Sequence, residues 1–191
     1  IDRVCRMLRE YRDHANSLGV ERVCAFGTSA LRDAANKTQI INAVRERVDI
    51  DLIELSGLQE ARFTFQGAAF GLPVPRHYAV IDIGGGSTEL AIGLDARVET
   101  SASVDIGAVR VTERFFSNLP PSHDERHQAI EMITEAISRL PQVPNSVTIL
   151  GVAGTVTTLG AIDMNVASFD AVQINGHQLD VQTISRLSDQ L

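Results

Sequence analysis

Apolar residues recur at three- and four-residue steps through Ile1, Val4, Cys5, Leu8, Tyr11, Ala15 and Leu18, a spacing that predicts an amphipathic helix closed by Gly19. Val20 to Phe26 is short, apolar and β-prone and predicts a strand, after which Gly27-Thr28-Ser29 turns the chain into a helix carrying Leu31, Arg32, Asp33 and Ala34. Asn36 is placed to cap a third helix with a stripe of Ile40, Ile41, Val44 and Val48, and Asp51 to Leu55 predicts another strand. Ser56-Gly57-Leu58-Gln59 fits a capping box, in which the Ser56 hydroxyl and the Gln59 side chain satisfy free amides at a helix start. That helix is expected to bury Leu58, Ala61, Phe65, Ala69 and Leu72. A different face carries Glu60, Thr64, Gly67 and Gly71, an acid followed by small residues able to line a cleft. Pro73-Val74-Pro75 ends the helix and is the expected linker between two domains, residues 1–75 and 76–191.

The second part is built around Tyr78 to Leu94, YAVIDIGGGSTELAIGL: an apolar run ending in Asp82, three glycines, Ser87, Thr88, Glu89 and a second apolar run. This order predicts a strand, a tight turn and a returning strand, with a carboxylate on each side of the turn. Ala96 to Ile106 adds one or two strands, and Gly107 begins a helix with Val111 and Phe115. Ser122-His123-Asp124-Glu125 is a second capping box, opening a helix marked by Ile130, Ile133, Ile137 and Leu140. Val147 to Val152 reads as a buried strand, and Ala153-Gly154-Thr155 leads into a helix with Val156, Leu159 and Ile162. Asp163 to Gly176 carries no assignable pattern, and Asp180 caps a last helix through Ile184 and Leu187. Strands alternating with helices across short turns indicate an α/β protein.

Composition narrows the function classes. With 44% apolar and 21% charged residues in 191, the chain can bury a real core, and no stretch approaches the roughly 20 apolar residues of a membrane helix. No signal-peptide pattern opens it, so a cytoplasmic location is expected. Cys5 and Cys24 lie among apolar neighbours and far apart in sequence, which suits buried thiols better than a disulfide or a zinc site. A net charge of -7 argues against broad nucleic-acid binding, which rests on clustered Lys and Arg. A polyanionic ligand must then be held locally, by a few arginines, backbone amides and metal ions.

The glycine turn has the parts for this. Gly84, Gly85, Gly86 and Ser87 let backbone amides converge on phosphate oxygens, although a tight hairpin without a ligand uses the same residues. The stretch is neither a Walker loop nor a dinucleotide fingerprint. Asp82 and Glu89 are hard oxygen ligands of the kind Mg²⁺ takes, alongside waters and substrate phosphates. Glu60 in a first helical turn is explained by the macrodipole alone, and Arg32 by a solvated helix face; a phosphate site still needs one carboxylate base and one fixed guanidinium. Gly154 and Thr155 offer helix-start amides for an anion, with ordinary capping as the plainer reading. His123 and His127 are four apart but lack the zincin order, and neither Ser29 nor Ser87 has a histidine nearby in sequence.

Together the segments FGTSALRDAAN from Phe26, ELSGLQEARFTFQGA from Glu54, VIDIGGGSTEL from Val80, SVDIGAVRVTERFF from Ser103 and LGVAGTVTTLGAI from Leu150 resemble the exopolyphosphatase and guanosine pentaphosphate phosphatase family, within the sugar kinase, heat-shock chaperone and actin superfamily. The resemblance implies two α/β domains of ribonuclease-H-like fold facing a cleft, and Mg²⁺-dependent release of a terminal phosphate from inorganic polyphosphate or guanosine pentaphosphate. By motif position, Glu60 resembles the general base, and Asp82 and Glu89 resemble the acids that organise Mg²⁺. Gly84, Gly85, Gly86 and Ser87 resemble a phosphate loop, Arg32 an arginine that steadies substrate phosphates, and Gly154 and Thr155 a later glycine motif. A second copy of the chain is a candidate partner. Three departures stand out. Gln59 replaces an acid, Asp105 stands where the family often carries an apolar residue, and the family's first phosphate loop, Asp-x-Gly-Ser/Thr-Asn-Ser, is missing from this sequence. Its strands would precede Ile1, so the first domain is expected to be incomplete, the second truncated after Leu191, and the fragment inactive or nearly so alone. A phospholigand-binding module without catalysis and a sugar kinase are the rival classes.

Overall fold

The computed structural model describes residues 1–70, 72 and 76–190, so the expected Pro73-Val74-Pro75 linker and Gly71 lie outside the described residues. The chain packs as two compact units, Ile1–Glu60 and Ala61–Leu191, divided within a helix.

The first unit runs α1 (Asp2–Ser17), β1 (Ala25–Gly27), α2 (Ser29–Asp33), α3 (Lys37–Val48), β2 (Leu52–Glu54) and the start of α4 (Gly57–Ala69). Its core is Cys5, Val44, Val48 and Ile50, with Leu8, Val23, Ala25, Ile40 and Leu52 packed around them. The α1 stripe is therefore used only in part: Cys5 is buried, whereas Val4, Tyr11 and Leu18 are exposed. The strand expected from Val20 shortens to three residues, because among the described residues β1 pairs only with parallel β2, and their ladder runs only from Ala25↔Leu52 to Gly27↔Glu54. Cys24, expected to be a buried thiol, is exposed, because it lies before the start of this short ladder. Side chains alternate across that ladder, leaving Phe26 and Ile53 exposed on one side. Asn36 occupies the N-cap of α3 but its side chain makes no capping hydrogen bond.

In the second unit a four-stranded sheet has the order β5-β4-β3-β6, built from β3 (His77–Ile83), β4 (Thr88–Leu94), β5 (Arg97–Val104) and β6 (Thr148–Val152). The β3–β4 and β4–β5 pairs are antiparallel, and β6 lies parallel to β3. Around them are α5 (Ala108–Phe115), α6 (His123–Ile137), α7 (Ala153–Asp163), α8 (Ala171–Ile174) and α9 (Val181–Gln190). Ala61, Phe65 and Ala69 of α4 bury against Tyr78, Val80 and Ala91, which share one sheet face through the two-residue period. Phe65 is fully enclosed, a burial worth about 1.5–3 kcal/mol. Leu58, expected in that stripe, is instead half exposed in the first turn of α4. The other sheet face carries Ala79, Leu90 and Ile92, packed by Leu140, Val143 and Val147.

Two elements differ from the sequence pattern. The strand expected to be buried from Val147 to Val152 forms β6 (Thr148–Val152), one of the two outer strands of the described sheet, and Ile149 is 60% exposed. The unassigned stretch holds α8, whose N-cap Asp170 accepts from the Val172 and Gln173 amides. Asp180 accepts from the Thr183 amide at 2.7 Å, which holds its carboxyl below the usual range.

Both capping boxes form. At α4 the Ser56 amide donates to Gln59 Oε1 (2.9 Å) and the Gln59 amide to Ser56 Oγ (3.3 Å). At α6 the carboxylate of Glu125 also reaches back to Ser117, accepting from its amide at 2.9 Å and its hydroxyl at 2.7 Å, while Ser122 donates through both groups at 2.8 Å. These donors, the Ser117 amide foremost, lower the Glu125 pKa from 4.5 to about 2. A depressed folded-state pKa gives stability that is complete above the unfolded value and is lost as pH falls through the folded one. Glu125→Gln should therefore melt below wild type at pH 7, with the gap closing between pH 4.5 and about 2, as thermal denaturation across that range will read.

Candidate functional site

Asp82 and Glu89 are direct partners in the β3–β4 ladder, with Ile83↔Thr88 closing it before the glycine turn. Directly opposite residues of an antiparallel pair share a face, with Cβ atoms about 4.5–5.5 Å apart. The row continues to Ser103 on β5 and Val152 on β6, placing both acids on the sheet face that α4 covers. A hydroxyl holds each acid: Thr64 Oγ1 donates to Asp82 Oδ2 at 3.3 Å, and Ser103 Oγ to Glu89 Oε1 at 2.7 Å. Glu89 is only 2% exposed, whereas Asp82 is half-buried.

Two carboxylates on facing positions are hard oxygen donors of the kind a divalent cation takes. Among the described residues no group of three or more His, Cys, Asp or Glu converges to enclose a metal. Two acids with the remaining positions left to water and phosphate fit Mg²⁺, which keeps several waters, better than an all-protein cage fits. His123 and His127 stack 6.4 Å apart on the exposed face of α6 and gain no third ligand there.

The turn itself is held from behind. The Gly84 amide donates to Ser87 O at 3.1 Å, so it is spent within the turn rather than on a ligand. Gly84 O accepts from the Ala108 amide (3.0 Å), Gly85 O from the Arg110 amide (2.9 Å) and Gly86 O from Arg110 Nε (2.6 Å). Neither Gly84 nor Gly85 has a left-handed φ; the need for glycine here is close approach. A Cβ on Gly107 would lie 2.5 Å from Gly85 C, and one on Gly85 3.2 Å from Val109 Cγ2. The Asp82 carboxylate sits beside the turn, its Oδ1 4.0 Å from where a Gly84 Cβ would be. Ser87, Thr88 and Glu89 are all buried, and Thr88 Oγ1 donates to Ile106 O at 2.8 Å.

Because β6 runs parallel to β3 with Val152 opposite Asp82, both strands end on the same side of the sheet, and α7 starts there. Ala153 begins it at φ 68°, and no side chain caps the helix. Gly154 is exposed, with open space for 4 Å around the position a Cβ would take, while Thr155 lines an apolar groove of about 400 Å³ with Ile83, Thr88 and Ile106. In the first unit Arg32 Nη1 donates to Glu60 Oε2 at 2.7 Å and to Leu55 O at 2.9 Å. The two groups are 28 residues apart, and their side chains are only 17% and 15% exposed.

The whole chain, residues 1–191, matches the Ppx/GppA phosphatase family. It belongs to that family. Relatives include the bifunctional 3-dehydroquinate synthase/phosphatase of Fusobacterium nucleatum, 32% identical over 97% of this chain and 29% of that protein. Exopolyphosphatase 2 of Mycobacterium tuberculosis is 33% identical over 92% of this chain and 57% of its own length. Among solved structures, the Aquifex aeolicus Ppx-GppA enzyme superposes with TM-score 0.83 at 32% identity, covering 99% of this chain and 62% of that one. An exopolyphosphatase-like protein gives TM-score 0.91 at 31% identity over the same shares. The chain thus spans less than two thirds of the length of these relatives.

Thr64, Ser103 and Arg110 contact the candidate site residues of this Ppx/GppA chain, and of the three the sequence pattern points only to Thr64. Thr64 falls on the Glu60 face of α4, legible as small and polar but not as the partner of Asp82. Ser103 lies opposite Glu89 only because a bulge at Ile92/Gly93 shifts the β4–β5 register by one residue; counted from the turn alone, Glu89 would face Ala102. Arg110 sits inside the SVDIGAVRVTERFF block, and nothing local marks it as the group behind Gly86. Asp105 is exposed, as its departure from the family pattern leads one to expect.

Proposed function

We propose that this Ppx/GppA chain carries the phosphate- and metal-handling part of a phosphohydrolase that releases the terminal phosphate of inorganic polyphosphate. The observation that carries the reading is the apposition of Asp82 and Glu89 beside a glycine turn whose carbonyls are all tied back. Relatives named as exopolyphosphatases support the substrate class. Asp82 and Glu89 would hold Mg²⁺, which when bound neutralises charge on the phosphoryl oxygens and orients them. Gly85, Gly86 and Ser87 would supply backbone N–H donors to the terminal phosphate. Glu60 is the general base, taking a proton from the attacking water, and Arg32 fixes its carboxylate and offers positive charge to the substrate.

Guanosine pentaphosphate ends in the same phosphoanhydride, so these groups would act on it in the same way. Full-length protein should release orthophosphate from polyphosphate faster than from guanosine pentaphosphate when both are compared side by side with Mg²⁺, and lose that release in EDTA. A preference for the nucleotide moves the assignment to the pentaphosphate phosphatase. Tight binding of both without release makes it a binding module, and ATP-dependent phosphorylation of a sugar a kinase.

A further inference from the structure

We infer that Arg110 is a positioning residue that aims the amides of the glycine turn at the phosphate; this rests on the phosphohydrolase reading of the turn. A trans peptide unit is planar, with its C=O and the following N–H pointing in opposite directions. Three consecutive carbonyls of the turn point at the start of α5: Gly84 O to the Ala108 amide, Gly85 O to the Arg110 amide, and Gly86 O to Arg110 Nε. The N–H groups of Gly85, Gly86 and Ser87 are thereby turned to the opposite side. Two of the three ties come from one residue, and the side-chain tie is the shortest, at 2.6 Å. Gly107 lets α5 come this close, since any Cβ there would collide with Gly84 O and Gly85 C. Amides held in place before the substrate arrives need no reorganisation when charge develops, which is where such donors gain their effect. The planar guanidinium matters here because Nε–H sits at a fixed place near the stem; lysine keeps the charge but has no donor at that position.

The test uses full-length wild type, Arg110→Lys and Arg110→Ala. Binding of tripolyphosphate with Mg²⁺ is measured by calorimetry, and the Gly85 and Gly86 amides are followed by ¹⁵N resonance shifts. Expected are a wild type that binds and shifts both amides, an Arg110→Lys protein that stays folded but binds about 10- to 100-fold more weakly with smaller shifts, and partial recovery of Arg110→Ala with ethylguanidinium. Should Arg110→Ala fail to fold, Arg110→Lys alone carries the comparison. Equal binding and equal amide shifts in wild type and Arg110→Lys overturn the role of Arg110 and leave the phosphohydrolase reading standing. A wild type that does not bind tripolyphosphate at all overturns that reading, and this inference with it.

Discussion

Glu60→Gln in the full-length protein should lower phosphate release by about 10²- to 10⁴-fold, the range for losing a general base, while the fold survives. The amide is nearly isosteric, and its oxygen can still accept from Arg32 Nη1, whose second bond to Leu55 O is untouched. The capping box belongs to Ser56 and Gln59, and the Glu60 amide still donates to Ser56 O at 2.9 Å, so the start of α4 keeps its hydrogen bonds. What the variant would lack, on the proposed mechanism, is an acceptor for the proton of water. Steady-state phosphate release with a thermal melt on the same sample separates the two effects. Release within a few-fold of wild type would remove Glu60 from the mechanism.

Asp82→Asn should abolish the response to Mg²⁺ in both activity and stability. The stability response to the metal is diagnostic. Without metal, the nearly isosteric amide oxygen can still accept from Thr64 Oγ1, so the variant should melt close to wild type. With metal, a folded state that binds it gains RT ln(1 + [L]/Kd), about 2.7 kcal/mol at 100 times Kd, and only wild type has the pair to do so. Mg²⁺ should therefore raise the melting temperature of wild type and leave that of Asp82→Asn unchanged. Parallel shifts in the two proteins would mean that Asp82 does not hold the ion. Removing Thr64 instead would take away only the hydroxyl that orients Asp82, a smaller loss.

Local chemistry was the legible part of this chain. Ser56 with Gln59, and Ser122 with Glu125, are three residues apart, and each closes its box by short contacts that need nothing from elsewhere. The apposition of Asp82 and Glu89 is nearly as local, since a four-residue turn with Ile83 opposite Thr88 sets the register. Strand extent was not legible, because a strand exists only where a partner supplies a ladder: β1 stops at three residues, and β6 has an exposed Ile149 although its apolar run suggests burial. Leu58 failed for a related reason, since periodicity names a helix face but not how far the neighbour reaches along it. Long-range side-chain pairs were hidden altogether. Arg32 meets Glu60 across 28 residues and Arg110 meets Gly86 across 24, through packing that no local pattern encodes.

The most direct measurement is orthophosphate release by the full-length protein from polyphosphate of defined length, with Mg²⁺ present and the lengths of the remaining chains followed. Hydrolysis at the terminal phosphate predicts steady release of orthophosphate from chain ends, dependent on Mg²⁺ and lost in Glu60→Gln. Internal cleavage to mid-length fragments, or no Mg²⁺-dependent release from either polyphosphate or guanosine pentaphosphate, would contradict the account.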